Sequence, residues 1–303
     1  MKKKLLSCIA ILLLASACGN ATTQVTKEDK TLITVGDTKI TKGNMYTMLS
    51  AQGSIAPIEK EMYKILVKKF LKENKETIAE AKENLATQKE TYADKWESTL
   101  KSAGYKSEKA YYEDYLLNLN IARLTDLYID KNFNDLIDKY QLRKVEIVAI
   151  SDPQKTEAAL KDAEEGVEFT KVATTYGDTT TYDGNVKVYN SKSELPEVVW
   201  KNILDVEKDG KLVKKVLQDT TTSTYYLVKV VNTKAKDFKE DAITSLKDIT
   251  SDTSTQTPSS TASSELGIDD QAFAYFLKEA DYSIHDVDIY QLLLTSSQKF
   301  ARE

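Results

Sequence analysis

From Ser54 to about Tyr140 the apolar residues keep a helical rhythm almost without a break, and this run limits the fold more than any other feature. Ile58, Met62, Ile65, Leu66 and Phe70 fall on one face of a 3.6-residue period. Ile78, Ala81 and Leu85 continue it, followed by Tyr92, Trp96, Leu100 and Ala103. Gly104 then marks a helix stop, and Ser107 with Glu108 behind it a restart. Tyr112, Tyr115, Leu116, Leu119, Ala122 and Leu127 stripe the next helix. Only ten glycines and four prolines occur in 303 residues, which favours helix over a loop-rich all-β design. Such a length allows two domains or one large one. Tyrosine recurs along the run, at Tyr105, Tyr111, Tyr112, Tyr115, Tyr128 and Tyr140. That pattern reads first as core with hydroxyls at the rim, and second as a peptide-binding surface.

At Leu142 the texture changes. Val145, Ile147, Val148 and Ile150 predict a strand, and Asp152-Pro153 opens a helix that Gly166 ends. Phe169, Val172, Ala173 and Tyr176 mark a short helix, 186–189 a strand and 198–204 another short helix. Leu212 to Leu217 and Tyr225 to Val231 predict a closing hairpin. The order β-α-α-β-α-β-β makes a compact α+β unit of residues 142–233. Ahead of it, Leu32 to Val35 and Thr38 to Ile40 predict a hairpin turning at Gly36-Asp37, with Thr41 capping a helix from Lys42. Behind it, helix returns over 237–249 and again over 269–280, where Phe273, Phe276 and Leu277 share a side. A short extended piece and an apolar stretch from Val287 to Leu294 follow. Residues 251–264 hold ten Ser or Thr and cannot build a core, so they read as a flexible linker.

The first residues are an address. Lys2, Lys3 and Lys4 precede an apolar stretch from Leu5 to Leu14, then Ala15, Ser16, Ala17, Cys18 and Gly19. This is the layout of a secretory signal peptide, too short to span a bilayer. A cysteine directly after small residues resembles a bacterial lipobox, in which the Cys18 thiol becomes diacylglycerol-modified and cleavage makes it the first residue. Cys8 leaves too little apolar segment ahead of it to serve. Residues 1–17 are thus expected to leave as signal and 18–30 to act as tether. Cleavage takes three lysines and moves the net charge from −5 to −8 (42 less 3 basic residues against 47 acidic).

One histidine and two cysteines exclude a disulfide framework and a multi-histidine metal site, so no metal and no cofactor is expected. His285, between Ile284 and Asp286, reads as a surface residue without a catalytic partner. Net negative charge without a basic block beyond Lys2–Lys4 argues against nucleic acid.

Helix, a small α+β unit and more helix behind a lipobox together resemble the PrsA-like foldase lipoproteins, relatives of the SurA and parvulin peptidyl-prolyl isomerases. Local runs carry the likeness: Val35-Gly36-Asp37-Thr38-Lys39-Ile40-Thr41, Gly166 to Tyr176, Leu195-Pro196-Glu197 and Tyr225 to Val230. The resemblance implies an α+β chain with a helical chaperone part from 31–141 and 234–303, and an inserted parvulin-like domain at 142–233. It also implies unfolded secreted proteins as partners, a place on the extracytoplasmic membrane face, and scope for a homodimer. Active parvulins have Ser-His-Ile-Leu on the first strand and Tyr-His-Ile-Ile-Lys on the last. This chain has Val145-Glu146-Ile147-Val148 and Tyr225-Tyr226-Leu227-Val228-Lys229, so both family histidines are replaced, by Glu146 and Tyr226. The glycine-rich loop has become Asp183-Gly184-Asn185-Val186-Lys187. The apolar proline pocket falls on Glu194, Val198 and Ile203, and the family's polar Asp or Cys on Asp178 or Thr179.

Three readings follow: a membrane-anchored foldase or chaperone with an inactive parvulin domain, an active peptidyl-prolyl isomerase with an unusual site, or a solute-binding or adhesive surface lipoprotein. Long helices and few glycines argue against the third. Stable anchoring needs more than one acyl chain. Cys18→Ala is therefore expected to abolish metabolic labelling by palmitate and to shift the protein from the membrane pellet to the soluble fraction. Unchanged fractionation would remove the anchor.

Overall fold

A computed structural model describes residues 25–52, 55–177, 181–251 and 265–285, with 290, 293–294 and 298–300. The signal, Cys18, Asp178, Thr179, most of the Ser/Thr-rich segment and most of 287–294 lie outside the described residues. The strands are β1 (Thr31–Val35), β2 (Thr38–Thr41), β3 (Arg143–Ile150), β4 (Asp183–Tyr189), β5 (Lys211–Leu212), β6 (Leu217–Asp219), β7 (Thr224–Asn232) and β8 (Ser283–Ile284). The α-helices are α1 (Lys42–Gln52), α2 (Ala56–Phe70), α3 (Lys75–Tyr92), α4 (Trp96–Ser102), α5 (Glu108–Tyr140), α6 (Thr156–Glu164), α7 (Phe169–Tyr176), α8 (Glu197–Leu204), α9 (Lys239–Lys247) and α10 (Ile268–Glu279). The chain is α+β, with two antiparallel sheets, and divides into Met1–Lys69 with Leu277–Phe300 and Phe70–Phe276 with Ala301–Glu303.

In the first unit β1 and β2 form the expected hairpin, and Gly36 takes the left-handed φ of +57° that its turn needs. Thr41 caps α1 reciprocally: Asn44 N–H donates to Thr41 Oγ1 at 3.4 Å, and Thr41 N–H donates to Asn44 Oδ1 at 3.0 Å. The short extended piece is β8, which adds to β1 through Ile33 opposite Ile284 and makes a sheet of order β2-β1-β8. Ile58, Met62, Ile65 and Leu66 are the buried face of α2. Near the end of the chain Phe300 is fully buried, its carbonyl accepts from Tyr282 Oη at 3.0 Å, and Lys299 pairs with Glu59 at 3.3 Å.

The second unit carries the long helices and the larger sheet. Tyr105 N–H reaches back to Leu100 O at 2.8 Å and Gly104 takes φ +83°, which closes α4 as its sequence implied. Ser107 Oγ then accepts from Ala110 N–H and opens α5. The buried face of α5 differs from the stripe read above. It consists of Leu117, Leu124, Thr125, Tyr128, Ile129, Phe133, Leu136, Ile137 and Tyr140, whereas Ala122 is exposed. Almost all of this burial lies in the second half of the helix; the first half runs beside α3, where Tyr111 Oη donates to Asn84 Oδ1 at 2.6 Å, and is only half covered. Asn132 leaves helical geometry because its side chain donates to Tyr128 O at 2.8 Å, which kinks α5 in its last third.

The larger sheet has the order β4-β3-β7-β5, with β6 also on β7. Its helices sit on both sides. Val199 and Ile203 of α8 join the cluster of Val145, Ile147, Ala149, Tyr226, Val228 and Val230. Phe169 and Val172 of α7 and Ala159 of α6 join Val148, Ile150 and Leu227 on the other face. The predicted first arm of the last hairpin is two fragments, β5 and β6, because Lys214 and Lys215 stay in solvent while Lys215 N–H turns back to Val213 O at 2.8 Å.

Residues on either side of the Ser/Thr-rich segment are held next to each other. Ile268 N–H donates to Ile249 O at 3.0 Å, Gly267 N–H to Ser251 Oγ at 2.8 Å, and Ser251 Oγ in turn to Asp270 Oδ2 at 2.6 Å. A Cβ on Gly267 would lie 2.5 Å from Ser251 N and 2.8 Å from Thr250 C. Gly267→Ala should therefore cost about 1–3 kcal/mol in denaturant unfolding. Replacing residues 253–263 by a six-residue Gly/Ser loop should alter stability by under about 1 kcal/mol, since halving a closed loop changes its entropy by only about 0.6 kcal/mol.

Candidate functional site

β3 and β7 pair antiparallel with Glu146 opposite Lys229, Ile147 opposite Val228, Val148 opposite Leu227 and Ala149 opposite Tyr226. Side chains alternate across a strand, so Glu146 and Tyr226 lie on opposite faces of the sheet. The two residues read as replacing a histidine dyad are therefore not brought together. Glu146 shares its face with Val148 and Leu227 and meets Lys229, whose Nζ is 2.7 Å from its Oε2. Lys229 Nζ also stands 5.8 Å over the Phe169 ring.

Tyr226 is 5% exposed, faces Ala149, and has Ile147 and Val228 beside it on the same face. The ring of Tyr182 meets it edge-on with centroids 5.6 Å apart, and Tyr182 Oη donates to Glu194 O at 3.1 Å. Burial is the main cause that raises the Tyr182 phenol above its ordinary pKa, with the neighbouring Tyr226 and Glu194 adding to it. Tyr189, on the same side of β4, is pushed up to about 12 by burial. Of the positions read as a proline pocket, Ile203 is buried in this cluster and Val198 packs against it. Glu194 is exposed and contributes its carbonyl. Gly184, in the segment that replaces the glycine-rich loop, has φ +79°, and a Cβ there would lie 2.3 Å from Phe169 O. Tyr182 had no sequence signal of its own; its role depends on the chain geometry ahead of β4.

A second constellation lies on α3, α4 and α5. Tyr92 stacks on Trp96 with centroids 6.4 Å apart, Trp96 meets Tyr111 edge-on at 5.4 Å, and Tyr111 contacts both Tyr105 at 5.3 Å and Tyr115 at 6.3 Å. Polar tips are tied down. Trp96 Nε1 donates to Glu108 Oε1 at 2.8 Å, and Tyr105 Oη donates to Asp114 Oδ2 at 2.6 Å. Glu108 also pairs with Lys89 at 2.9 Å, and these bonds from Lys89 and Trp96 hold its carboxyl below the usual range. Tyr92 is 41% exposed. Of the six recurring tyrosines, Tyr128 and Tyr140 are core, while Tyr105, Tyr111, Tyr112 and Tyr115 are half-buried. The tyrosine repeat was legible, but the inclusion of Tyr92 and Trp96 required the fold of α4 against α5.

His285 is exposed, with Nε2 2.8 Å from Thr34 Oγ1 and 3.3 Å from Ser283 Oγ. Among the described residues no group of three or more His, Cys, Asp or Glu side chains is placed to hold a metal, and no helix is long and apolar enough to cross a membrane.

No family model and no curated protein sequence matches the chain. Solved structures similar to it include foldase protein PrsA from Streptococcus pneumoniae, at 18% identity over 89% of this chain and 99% of that one, with a TM-score of 0.37. Foldase protein PrsA from Lactococcus lactis is 17% identical over 90% and 100%, with a TM-score of 0.40. Peptidylprolyl isomerase PrsA from Bacillus cereus is 14% identical over 91% and 100%, with a TM-score of 0.43.

Hydrogen bonding to Asp114, aided by burial, pushes the Tyr105 phenol from 10.0 up to about 12. The folded chain thus holds this proton more tightly than the unfolded chain. Its stabilising contribution is complete below about pH 10 and is lost as pH rises toward 12. Asp114→Asn should return one tyrosine to the ordinary range in an ultraviolet titration and flatten the loss of stability between those pH values. An unchanged titration would remove the assigned cause.

Proposed function

We propose that the chain is a membrane-tethered, extracytoplasmic foldase that holds unfolded secreted proteins, and that its parvulin-like domain at 142–233 has no isomerase activity. The observation that carries this reading is Tyr226, buried among Ala149, Ile147 and Val228 beneath the Tyr182 ring. Prolyl isomerisation must lower a barrier of about 18–20 kcal/mol by stabilising a twisted amide. That requires polar groups aimed at a substrate in an open pocket. Here the corresponding sheet position is filled by an inward phenol, and Glu146 points to the other face. Anchoring rests on the lipobox-like run ending at Cys18.

Client holding falls to the aromatic constellation of α3, α4 and α5. Rings fixed by hydrogen bonds offer large contact area at little further entropic cost. Trp96 and Tyr111 supply such rings, Tyr92 stacks on Trp96 beside them, and these side chains tolerate varied sequences, as binding to unfolded chains demands.

Two assays on the mature chain test the proposal. In a protease-coupled proline-peptide assay the rate should equal that of buffer. In an aggregation assay with a chemically unfolded client the chain should suppress light scattering, and Tyr92→Ala should weaken suppression about two- to fivefold while leaving the melting temperature within about 1–2 °C. Catalysed isomerisation would establish the active-enzyme reading. Absence of suppression would favour a surface lipoprotein of another kind.

A further inference from the structure

Asn190 to Glu194, the loop that follows β4, is fastened to three separate elements. Ser191 N–H donates to Tyr140 O at 2.8 Å, at the end of α5. Asn190, 6% exposed, donates through Nδ2 to Ser245 Oγ of α9 at 3.0 Å. Lys192 pairs with Glu265, which stands just before α10. The other oxygen of Glu265 is 3.0 Å from Lys139 Nζ in the last turn of α5. One carboxylate therefore bridges two ammonium groups that would otherwise repel across the same space. Its own backbone is fixed close by, because Gly267 and Ile268 are bonded to Ser251 and Ile249. At the far end of the loop, Glu194 O accepts from Tyr182, whose ring lies against Tyr226.

We propose that Glu265 is an ionic clasp that sets the position of the 190–194 loop, and through Glu194 the seat of the Tyr182 ring, and that rising ionic strength loosens it. The salt sensitivity follows from placement. Side-chain exposures of 33% for Glu265, 47% for Lys139 and 46% for Lys192 leave both pairs open to screening, unlike the buried Asn190–Ser245 contact. The loop is thus held by two salt-insensitive points, at Asn190 and Ser191, and one salt-sensitive point at Lys192. Opening the salt-sensitive point removes one restraint from residues 192–194, while Lys192 N–H stays bonded to Asn190 Oδ1 at 2.8 Å and Ser193 N–H to Asn190 O at 2.9 Å. A cleft of about 670 Å³ lies beneath, lined by Lys192, Glu194, Ser245, Asp248 and Glu265 among others, so the clasp also sets the width of that cleft.

The test is amide hydrogen exchange of residues 190–194 together with the Tyr182 ring resonances, on the full mature chain between 0.05 and 1 M NaCl. In the parent chain, exchange at 192–194 should rise about three- to fivefold across this range, the scale of losing an exposed ion pair. Glu265→Gln should begin at the high value, respond little to salt and shift the Tyr182 ring signals; Lys192→Met should do the same. The double substitution should be no faster than either single one, because both remove the same Lys192–Glu265 pair that holds the loop. Lys161→Met, which removes an exposed pair with Glu165 on α6, should leave the loop and the ring unchanged. A parent loop indifferent to salt, a silent Glu265→Gln, or additive single substitutions would overturn the clasp. The measurement needs neither client nor isomerase activity, so it stands or falls separately from the proposed function.

Discussion

Everything placed on the larger sheet depends on the register between β3 and β7. Seven rows pair from Lys144 opposite Asn232 to Ile150 opposite Tyr225, with one shift between Lys144 and Val145. Because the side-chain period is two, this register alone decides that Val145, Ile147, Ala149, Tyr226, Val228 and Val230 form one core and Val148, Ile150 and Leu227 the other. Both central strands are buried on two faces, which explains their near-continuous apolar sequence. It also explains why Glu146 is conspicuous in them. Its carboxylate is mostly covered, and Lys229, directly opposite, supplies the countercharge that such a position requires.

The same register shows what reading along a single strand leaves open and where local chemistry is enough. Helix ends were legible because their determinants are local: Gly104 closing α4, Ser107 opening α5, and Asp152 with Pro153 opening the turn before α6. The hairpin at Gly36 was legible for the same reason. Matching a family pattern onto Val145–Val148 set the dyad position at Glu146, yet a slip of one residue inverts a strand, and the position sharing a face with Tyr226 is Ile147. No property of a single strand could reveal that. The buried face of α5 was misread for a related reason. A 33-residue helix offers apolar residues all round, and only its neighbours decide which of them are covered. β8 was also hidden, since a two-residue strand takes its identity from β1.

Tyrosine is used in two ways, and the distinction bears on function. Tyr140 and Tyr226 are enclosed, and their rings act as core volume. Gln271 Nε2 donates to the Tyr140 hydroxyl at 2.7 Å, which removes the cost of burying that oxygen. Tyr105 and Tyr111 keep part of the ring in solvent while the hydroxyl is fixed by Asp114 or Asn84. A ring held by its tip has already lost its rotamer freedom on folding, so contact with another chain costs little more entropy. Composition counts seventeen tyrosines without separating these classes. The separation arises where α5 leaves α3 and α4 and enters the core from Leu124 onward.

Gly267 explains how a segment of ten Ser or Thr can interrupt a folded unit. An insertion into a packed structure is tolerated when its ends are close, since loop entropy grows only slowly with length. Closeness here means backbone against backbone, with no room for a Cβ between residue 267 and Ser251. Once that contact is made, α10 begins in a fixed place, Gln271 reaches Tyr140, and Glu265 reaches Lys139 and Lys192. The residues that flank a segment read from composition as a spacer are therefore held at one fixed point. The polar sequence of that segment and the apolar sequence of α10 answer to different constraints, since α10 must meet α5 at Tyr128 and Tyr140.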